Sequence, residues 1–129
     1  MNDRELMFTP AHKQRQMIVD GEISSVEMTK ASLRRIAELE PQLNAFITLD
    51  EQGALAAAKA ADESLASGSA PGPLHGVPIA VKDLEVTKGL RTTLGSTFFE
   101  DWIPDYDSVA VERLRASGAV ILGKTNTPE

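Results

Sequence analysis

The chain has 129 residues, a mass of 13.9 kDa, 42% apolar residues and a net charge of −6. That length is typical of one domain, and the excess of acidic residues makes nucleic acid an unfavourable partner. Because the chain has no cysteine and only two histidines, His12 and His75, we expect neither disulfides nor a metal site. No apolar stretch nears the roughly 20 residues that span a bilayer, and no signal-peptide segment is found, so we expect no membrane contact and a cytoplasmic protein.

The first part of the chain carries the signals of two helices. Residues 10–19 predict a short helix that Gly21 ends. Ser24 and Glu27 form a capping box, after which apolar residues recur at three- and four-residue steps until Pro41 is expected to stop the helix. The apolar stripe consists of Val26, Met28, Ala31, Leu33, Ile36, Ala37 and Leu39.

A strand and a helix are predicted next, before a break in the pattern. Residues 45–49 are short and β-prone, whereas residues 51–67 are rich in alanine and favour a helix. Residues 68–76 combine Ser, Pro and Gly and predict an ordered loop rather than a domain boundary. We therefore expect one domain over residues 1–129, helical to about residue 70 and continuing as an α/β core from about residue 71.

The α/β core is predicted from two apolar runs separated by a helix. Residues 78–81 predict a buried strand, and residues 119–122 predict a second one. Asp107 or Ser108 is expected to cap a helix over residues 109–117, which Gly118 ends. Strand, helix and strand would then form a right-handed parallel unit.

Residues 118–125 match the spacing of a phosphate-binding loop, which makes nucleotide binding one hypothesis. Such a loop needs its strand before the first glycine and a flexible loop between the glycines. Here the residues between Gly118 and Gly123 are themselves the predicted strand. Nucleotide binding is therefore the least favoured function for this segment.

Lys82 is the candidate for chemistry, although a lysine at a strand end ordinarily faces solvent or pairs with a neighbour such as Asp83. A strand that is apolar on both faces is expected to bring its ammonium near the interior, where burial favours a neutral amine that can act as a base. Asp83 would point to the opposite face and fix the loop or a neighbouring amide. We predict a loop contact for His75.

Three segments together resemble the amidase signature family. They are residues 72–83 (GPLHGVPIAVKD), residues 89–96 (GLRTTLGS) and residues 118–126 (GAVILGKTN), and weaker similarity extends over the N-terminal helices. The resemblance implies the N-terminal part of an α/β/α sandwich around a mixed sheet, with N-terminal helices.

The resemblance also implies hydrolysis of a small-molecule carboxamide by a Ser, cis-Ser, Lys triad, without metal or other cofactor. Lys82 matches the lysine of that triad. The serines and the oxyanion-hole amides are expected downstream of Glu129, and Ser96 is interpreted as a loop hydroxyl. The 129-residue chain alone is therefore predicted to be an inactive N-terminal fragment of an amidohydrolase.

Three further expectations concern the substrate class, a non-catalytic alternative and self-association. Residues 124–129 (KTNTPE) look more like general amidases than like the amidase-type component of the glutamine-dependent tRNA amidotransferase. The alternative to an enzyme fragment is a non-catalytic interaction or scaffold module. Because both predicted core strands would lack neighbours and cover, the isolated chain is expected to self-associate.

Overall fold

Residues 1–128 are described by a computed structural model with five helices and three strands. This confirms the α/β class predicted from sequence. The helices are α1 (Asp3–Phe8), α2 (Ala11–Val19), α3 (Ser25–Leu43), α4 (Glu51–Ala66) and α5 (Val109–Ala116); the strands are β1 (Phe46–Leu49), β2 (Pro78–Lys82) and β3 (Val120–Thr125); one 3-10 turn spans Thr97–Phe99.

The three strands form one mixed sheet in the order β1, β3, β2. β2 runs parallel to β3, as the strand, helix and strand pattern predicted, and β1 runs antiparallel to β3. β3 extends three residues beyond the predicted end and includes Lys124. Among the described residues, β3 therefore lies between the two earlier strands and pairs with both.

Helices cover the two faces of the sheet. On one face, Val120 and Leu122 of β3 pack against buried residues of α3 and α4, including Leu33 and Ala58. On the other face, Ile121 packs in a separate cluster with β2 and α5. Neighbouring residues of a strand point to opposite faces, so β3 separates the two helical layers.

The N-terminal helices build a third cluster from Leu6, Ile18, Met28 and Ala31. The predicted apolar stripe of α3 therefore serves two cores, because Met28 and Ala31 face α1 and α2 whereas Leu33 faces the sheet. The helix α1 was not predicted from the sequence. A capping box between Asn2 and Glu5 marks its start.

The expected stop of α3 at Pro41 was wrong, because the helix runs on to Leu43. Proline at position 41 has no N–H to donate to the carbonyl of Ala37, so the last turn lacks one hydrogen bond while the helix continues for two further residues. The helix instead ends at Asn44, which takes a left-handed conformation and donates its backbone N–H to the carbonyl of Glu40 over 2.8 Å. The carboxylate of Glu40 also accepts the backbone N–H of Phe46, so the turn into β1 is tied to the last turn of α3.

The predicted capping box of α3 is confirmed, and its removal has a measurable cost. Ser24 Oγ accepts the N–H of Glu27 at 3.0 Å, and the Glu27 carboxylate accepts the N–H of Ser24 at 2.8 Å. We expect Ser24→Ala to lower the free energy of unfolding by about 1 kcal/mol in urea denaturation. Ser69→Ala, in an exposed loop, is the control and should be neutral; equal stability of the two variants would contradict the capping role.

Gly123 allows β1 and β3 to approach closely. A Cβ at position 123 would lie 2.3 Å from the carbonyl oxygen of Thr48 and 3.0 Å from Leu49 Cα. Since both atoms belong to the backbone of β1, Gly123→Ala is expected to lower the free energy of unfolding by about 2–3 kcal/mol. Gly68→Ala is the comparison, because a Cβ there meets nothing within 4 Å and carries only the strain of a left-handed φ of +84°, about 1 kcal/mol. Equal melting of the two variants would show that β1 can move aside.

The expectation that both core strands lack neighbours and cover was wrong for β3. β1 and β2 flank it, and its residues Val120 to Lys124 are buried. β2 has one neighbour and forms an edge of the sheet, with Ala80 and Lys82 exposed.

Over residues 1–128, no helix combines the length and apolar character needed to cross a membrane.

Candidate functional site

Lys82 is the last residue of β2, where that strand leaves the sheet. Its side chain is exposed within residues 1–128, so these residues by themselves do not bring its ammonium near the interior. The physical reason is that β2 is an edge strand of the described sheet, in which the alternate residues Ala80 and Lys82 are exposed while Val81 between them is buried. Within residues 1–128, no ion pair is formed by the Lys82 ammonium.

The neighbouring Asp83 points the other way and is fully buried, as the alternation predicted. Its Oδ2 accepts the backbone N–H of Thr93 at 3.0 Å and also the Thr93 hydroxyl. Its Oδ1 lies 3.3 Å from the ammonium of Lys124. Asp83 therefore fixes a neighbouring amide, as expected, but its charge partner is Lys124 rather than Lys82.

Lys124 is the buried lysine of this chain, with no exposed side-chain surface. Its ammonium donates to the carbonyl of Glu85 at 2.8 Å and to the hydroxyl of Thr92 at 2.9 Å. Burial lowers the pKa of Lys124, and the carboxylates of Asp83 and Glu85 oppose that shift. The contact to Asp83 Oδ1 is an ion pair without hydrogen-bond alignment, since this oxygen has no hydrogen-bond partner among the described residues.

A bulge in β3 explains how Lys124 reaches this position. Ile79 pairs with Ile121 and Ala80 with Gly123, so the register shifts by one residue between them. After the shift, Lys124 lies opposite Val81. Regular alternation from the α3 and α4 face would have placed Lys124 with Leu122, and the bulge turns it to the Asp83 side instead.

An open cleft of about 280 Å³ lies beside this network. Thr93 connects the two, because it bonds Asp83 and also lines the cleft. Hydroxyl and amide side chains dominate the wall, among them Ser96, Asn126 and Thr127. Lys82 does not line this cleft. A larger cleft of about 670 Å³ is lined by residues of α1, α2, α3 and the segment before α3, and by none of the residues at the end of β2.

The remaining residues singled out from the sequence have structural contacts. His75 is buried, and its Nε2 lies 3.0 Å from the carbonyl oxygen of Ala61. Ser96 accepts the N–H of Phe98 and caps the 3-10 turn, in agreement with a loop hydroxyl. Among residues 1–128, no group of three or more His, Cys, Asp or Glu side chains is arranged to hold a metal ion.

The segment that matches a phosphate-binding loop has the wrong structure for that role. Gly118 follows α5 with φ +91°, and Val120 to Thr125 form a continuous strand. The lysine of the pattern, Lys124, is fully buried with its donors directed at protein atoms. The absence of a loop between the two glycines removes the cradle of N–H groups that phosphate needs.

Sequence reasoning missed the buried network around Lys124. One signal was present: two opposite charges, Asp83 and Lys124, each follow an apolar run predicted as a strand. Parallel neighbouring strands bring their carboxyl ends to one edge, which places such charges within reach of each other. The contributions of Thr92 and Thr93 carried no comparable signal, because threonines are common in loops.

Comparison with protein families gives a match to the family described as Amidase over residues 27–129. Curated relatives include the A-type subunit of the glutamyl-tRNA(Gln) amidotransferase of Acidothermus cellulolyticus, 50% identical over 113 residues, which are 88% of this chain and 22% of the relative. The corresponding subunit of Methylobacillus flagellatus is 52% identical over 88% of this chain and 23% of the relative.

Solved structures give the same result. The peptide amidase of Stenotrophomonas maltophilia matches with a TM-score of 0.86 and 38% identity, over 92% of this chain and 25% of the amidase. A fatty acid amide hydrolase matches with a TM-score of 0.91 and 29% identity, over 98% of this chain and 22% of the hydrolase. The chain therefore spans about a quarter of the length of these proteins.

Proposed function

The chain belongs to the amidase family, and we propose from this that it provides the catalytic lysine, Lys82, of a Ser, cis-Ser, Lys amide hydrolase. The observation that carries the proposal is the position of Lys82 at the carboxyl end of β2, within the GPLHGVPIAVKD segment. An exposed lysine at the end of a strand can reach groups contributed by further chain, and Asp83 already occupies the opposite, buried face.

In the proposed reaction, Lys82 acts as the terminal base of a proton relay. The neutral amine takes a proton from the bridging serine, which takes one from the nucleophilic serine as its oxygen attacks the amide carbonyl. The carbon–nitrogen bond then breaks, and the leaving amine or ammonia takes the proton back along the relay. Water attacks the resulting acyl-enzyme and releases the carboxylate, so the relay returns to its starting state.

The proposal requires that more chain covers Lys82. Lysine is a base only as the neutral amine, and removal from water favours that form. Over residues 1–128 the Lys82 side chain is exposed. We therefore place both serines, the oxyanion-hole amides and the cover over Lys82 in sequence downstream of this segment, and we expect the 129 residues alone to be inactive.

Two substrate classes fit the comparisons, and both are carboxamides. Similarity to a peptide amidase and to a fatty acid amide hydrolase supports hydrolysis of a small-molecule amide. The second candidate is release of ammonia from glutamine within an amidotransferase, favoured by about 50% identity to subunits of glutamyl-tRNA(Gln) amidotransferases. That identity weighs against the preference for general amidases, which was based on the two residues after Asn126 in the segment 124–129. The final residue of that segment, Glu129, lies outside the described residues.

Location and association are also proposals. We propose a cytoplasmic protein, in which the β2 edge pairs with further strands of a complete enzyme. In their absence, the open edge promotes self-association.

The test is amide hydrolysis by the 129-residue chain and by a version extended through the downstream serine region. Ammonia release is measured with glutamine and with simple carboxamides such as benzamide. We expect release only from the extended protein, and the preferred substrate separates the two candidate classes. Hydrolysis by the 129 residues unaided would show that the nucleophile lies elsewhere, and an extended protein that folds but releases neither ammonia from glutamine and simple carboxamides nor amine from N-substituted amides would refute the amidase assignment.

A further inference from the structure

We propose that the buried Asp83–Lys124 pair positions Lys82 for catalysis, a role that rests on the function proposed above. Asp83 and Lys124 are positioning residues in this proposal, because they act through the adjacent Lys82 rather than on a substrate. The pair joins the end of β2, the end of β3 and the loop that follows β2.

The backbone N–H and carbonyl of Asp83 both form hydrogen bonds, one to β3 and one to the loop that follows β2. Its N–H donates to the carbonyl of Thr125 in β3 over 2.9 Å, and its carbonyl accepts the N–H of Leu94 at 3.2 Å. The carbonyl of Lys82 accepts the N–H of Glu85 at 2.9 Å. The residue after Lys82 is thus bound to β3 and to the returning loop at the same time.

The side chains of Asp83 and Lys124 add a second set of hydrogen bonds and an ion pair. The Asp83 carboxylate accepts two hydrogen bonds from Thr93 and contacts Lys124 at 3.3 Å. Lys124 in turn holds the carbonyl of Glu85 and the hydroxyl of Thr92. Every group in this set is contributed by the strand ends or by the loop, so the set fixes the loop against both strands.

This arrangement matters for Lys82 because its ammonium forms no ion pair within residues 1–128 that would orient it. Its side chain is exposed at the end of an edge strand. Adjacent strand residues point to opposite faces, so fixing Asp83 on the buried face fixes the direction in which Lys82 leaves the strand. A displacement of about 1 Å in a catalytic group costs on the order of a hundredfold in rate.

Stability alone does not account for a buried ion pair at this position. Apolar residues of similar volume commonly replace such pairs without loss of stability, because both charges must be removed from water. The pair is distinguished instead by its directional bonds to Thr92, Thr93 and Glu85. A role in orientation predicts that weakening these bonds lowers turnover even where the protein remains folded.

The experiment uses Thr93→Val in the extended enzyme. This change keeps the shape of the side chain and removes the hydroxyl that donates to Asp83 and accepts the backbone N–H of Gly95. We expect kcat to fall about tenfold with KM within about twofold, and Thr93→Ser to recover kcat to within about threefold, because Lys82 is displaced while substrate contacts persist. Thr29→Val is the matched control: Thr29 is buried in α3 and its hydroxyl has no hydrogen-bond partner among the described residues.

A second measurement uses amide hydrogen exchange to report on the junction between β2, β3 and the loop. In the 129-residue chain, hydrogen exchange of the Asp83 and Leu94 amides is expected to be about tenfold faster in Thr93→Val than in Thr29→Val, because these amides bond across the fixed junction. Unchanged kcat, a change in KM alone, unchanged exchange, or a loss that Thr93→Ser does not recover would overturn the positioning role. In each of those cases an inactive Lys82→Ala enzyme would leave the proposed function standing, whereas full activity of Lys82→Ala would refute both.

Discussion

Lys82→Ala in the extended enzyme is expected to lower kcat/KM for amide hydrolysis by at least about a thousandfold, because the relay loses its terminal base. The loss should fall mainly on kcat, since Lys82 takes part in proton transfer rather than in holding the substrate. Lys82→Arg should not restore activity, because a guanidinium stays protonated and cannot accept the proton. Steady-state ammonia release at saturating substrate measures both variants.

The matched control for this prediction is Lys88→Ala. Lys88 is also exposed and follows β2 by a few residues, so its replacement removes the same charge from a nearby position in the sequence. We expect activity within about twofold of the parent enzyme, because a surface charge of this kind makes little difference to chemistry. If both alanine variants retain full activity, Lys82 has no catalytic role.

Lys124→Met should lower the free energy of unfolding by about 3–5 kcal/mol, because it leaves the buried carboxylate of Asp83 without its charge partner. Methionine keeps most of the volume of lysine, so the cost arises from the lost charge and from the unpaired acceptors at Thr92 and Glu85. Urea denaturation of the 129-residue chain measures the change.

The comparison variant is Lys59→Met, which removes a lysine from an exposed pair. Lys59 lies 3.8 Å from Glu63 on α4, and both side chains are more than half exposed. This variant should change the free energy of unfolding by less than about 0.5 kcal/mol. The double variant Asp83→Asn with Lys124→Met should cost less than the sum of its single changes, because the two side chains interact. Lys124→Met that is as stable as Lys59→Met would show that the buried pair contributes nothing to folding.

The periodic features of this fold were predictable from sequence. Ser24 and Glu27 marked the start of α3, and the apolar runs around Ile79 and Ile121 marked two strands that do lie parallel. These predictions succeeded because capping and hydrophobic alternation depend on residues close in sequence. The mixed α/β class followed from the same patterns, and the family resemblance agrees with the comparisons.

The features that failed depend on distant parts of the chain. The exposure of Lys82 follows from the edge position of β2, and the burial of Lys124 follows from a bulge opposite Ala80 and from the loop that packs over the strand ends. The helix α3 likewise ends at Asn44 rather than at Pro41, and the carbonyl of Asn44 accepts the side chain of the distant Asn126. Local propensity contains no information on such contacts, so the sequence predicted neither the exposure of Lys82 nor the burial of Lys124.

The central position of β3 has a consequence for synthesis on the ribosome. β1 and β2 bond to β3 and not to each other, and Phe46 meets its partner Thr125 only after about 80 further residues have been added, a separation that delays pairing. At about 5–20 residues per second, β1 waits on the order of 4–16 s without a strand partner. During translation the early helices can already pack together, and a chaperone that shields the β1 segment would protect the nascent chain until β3 emerges.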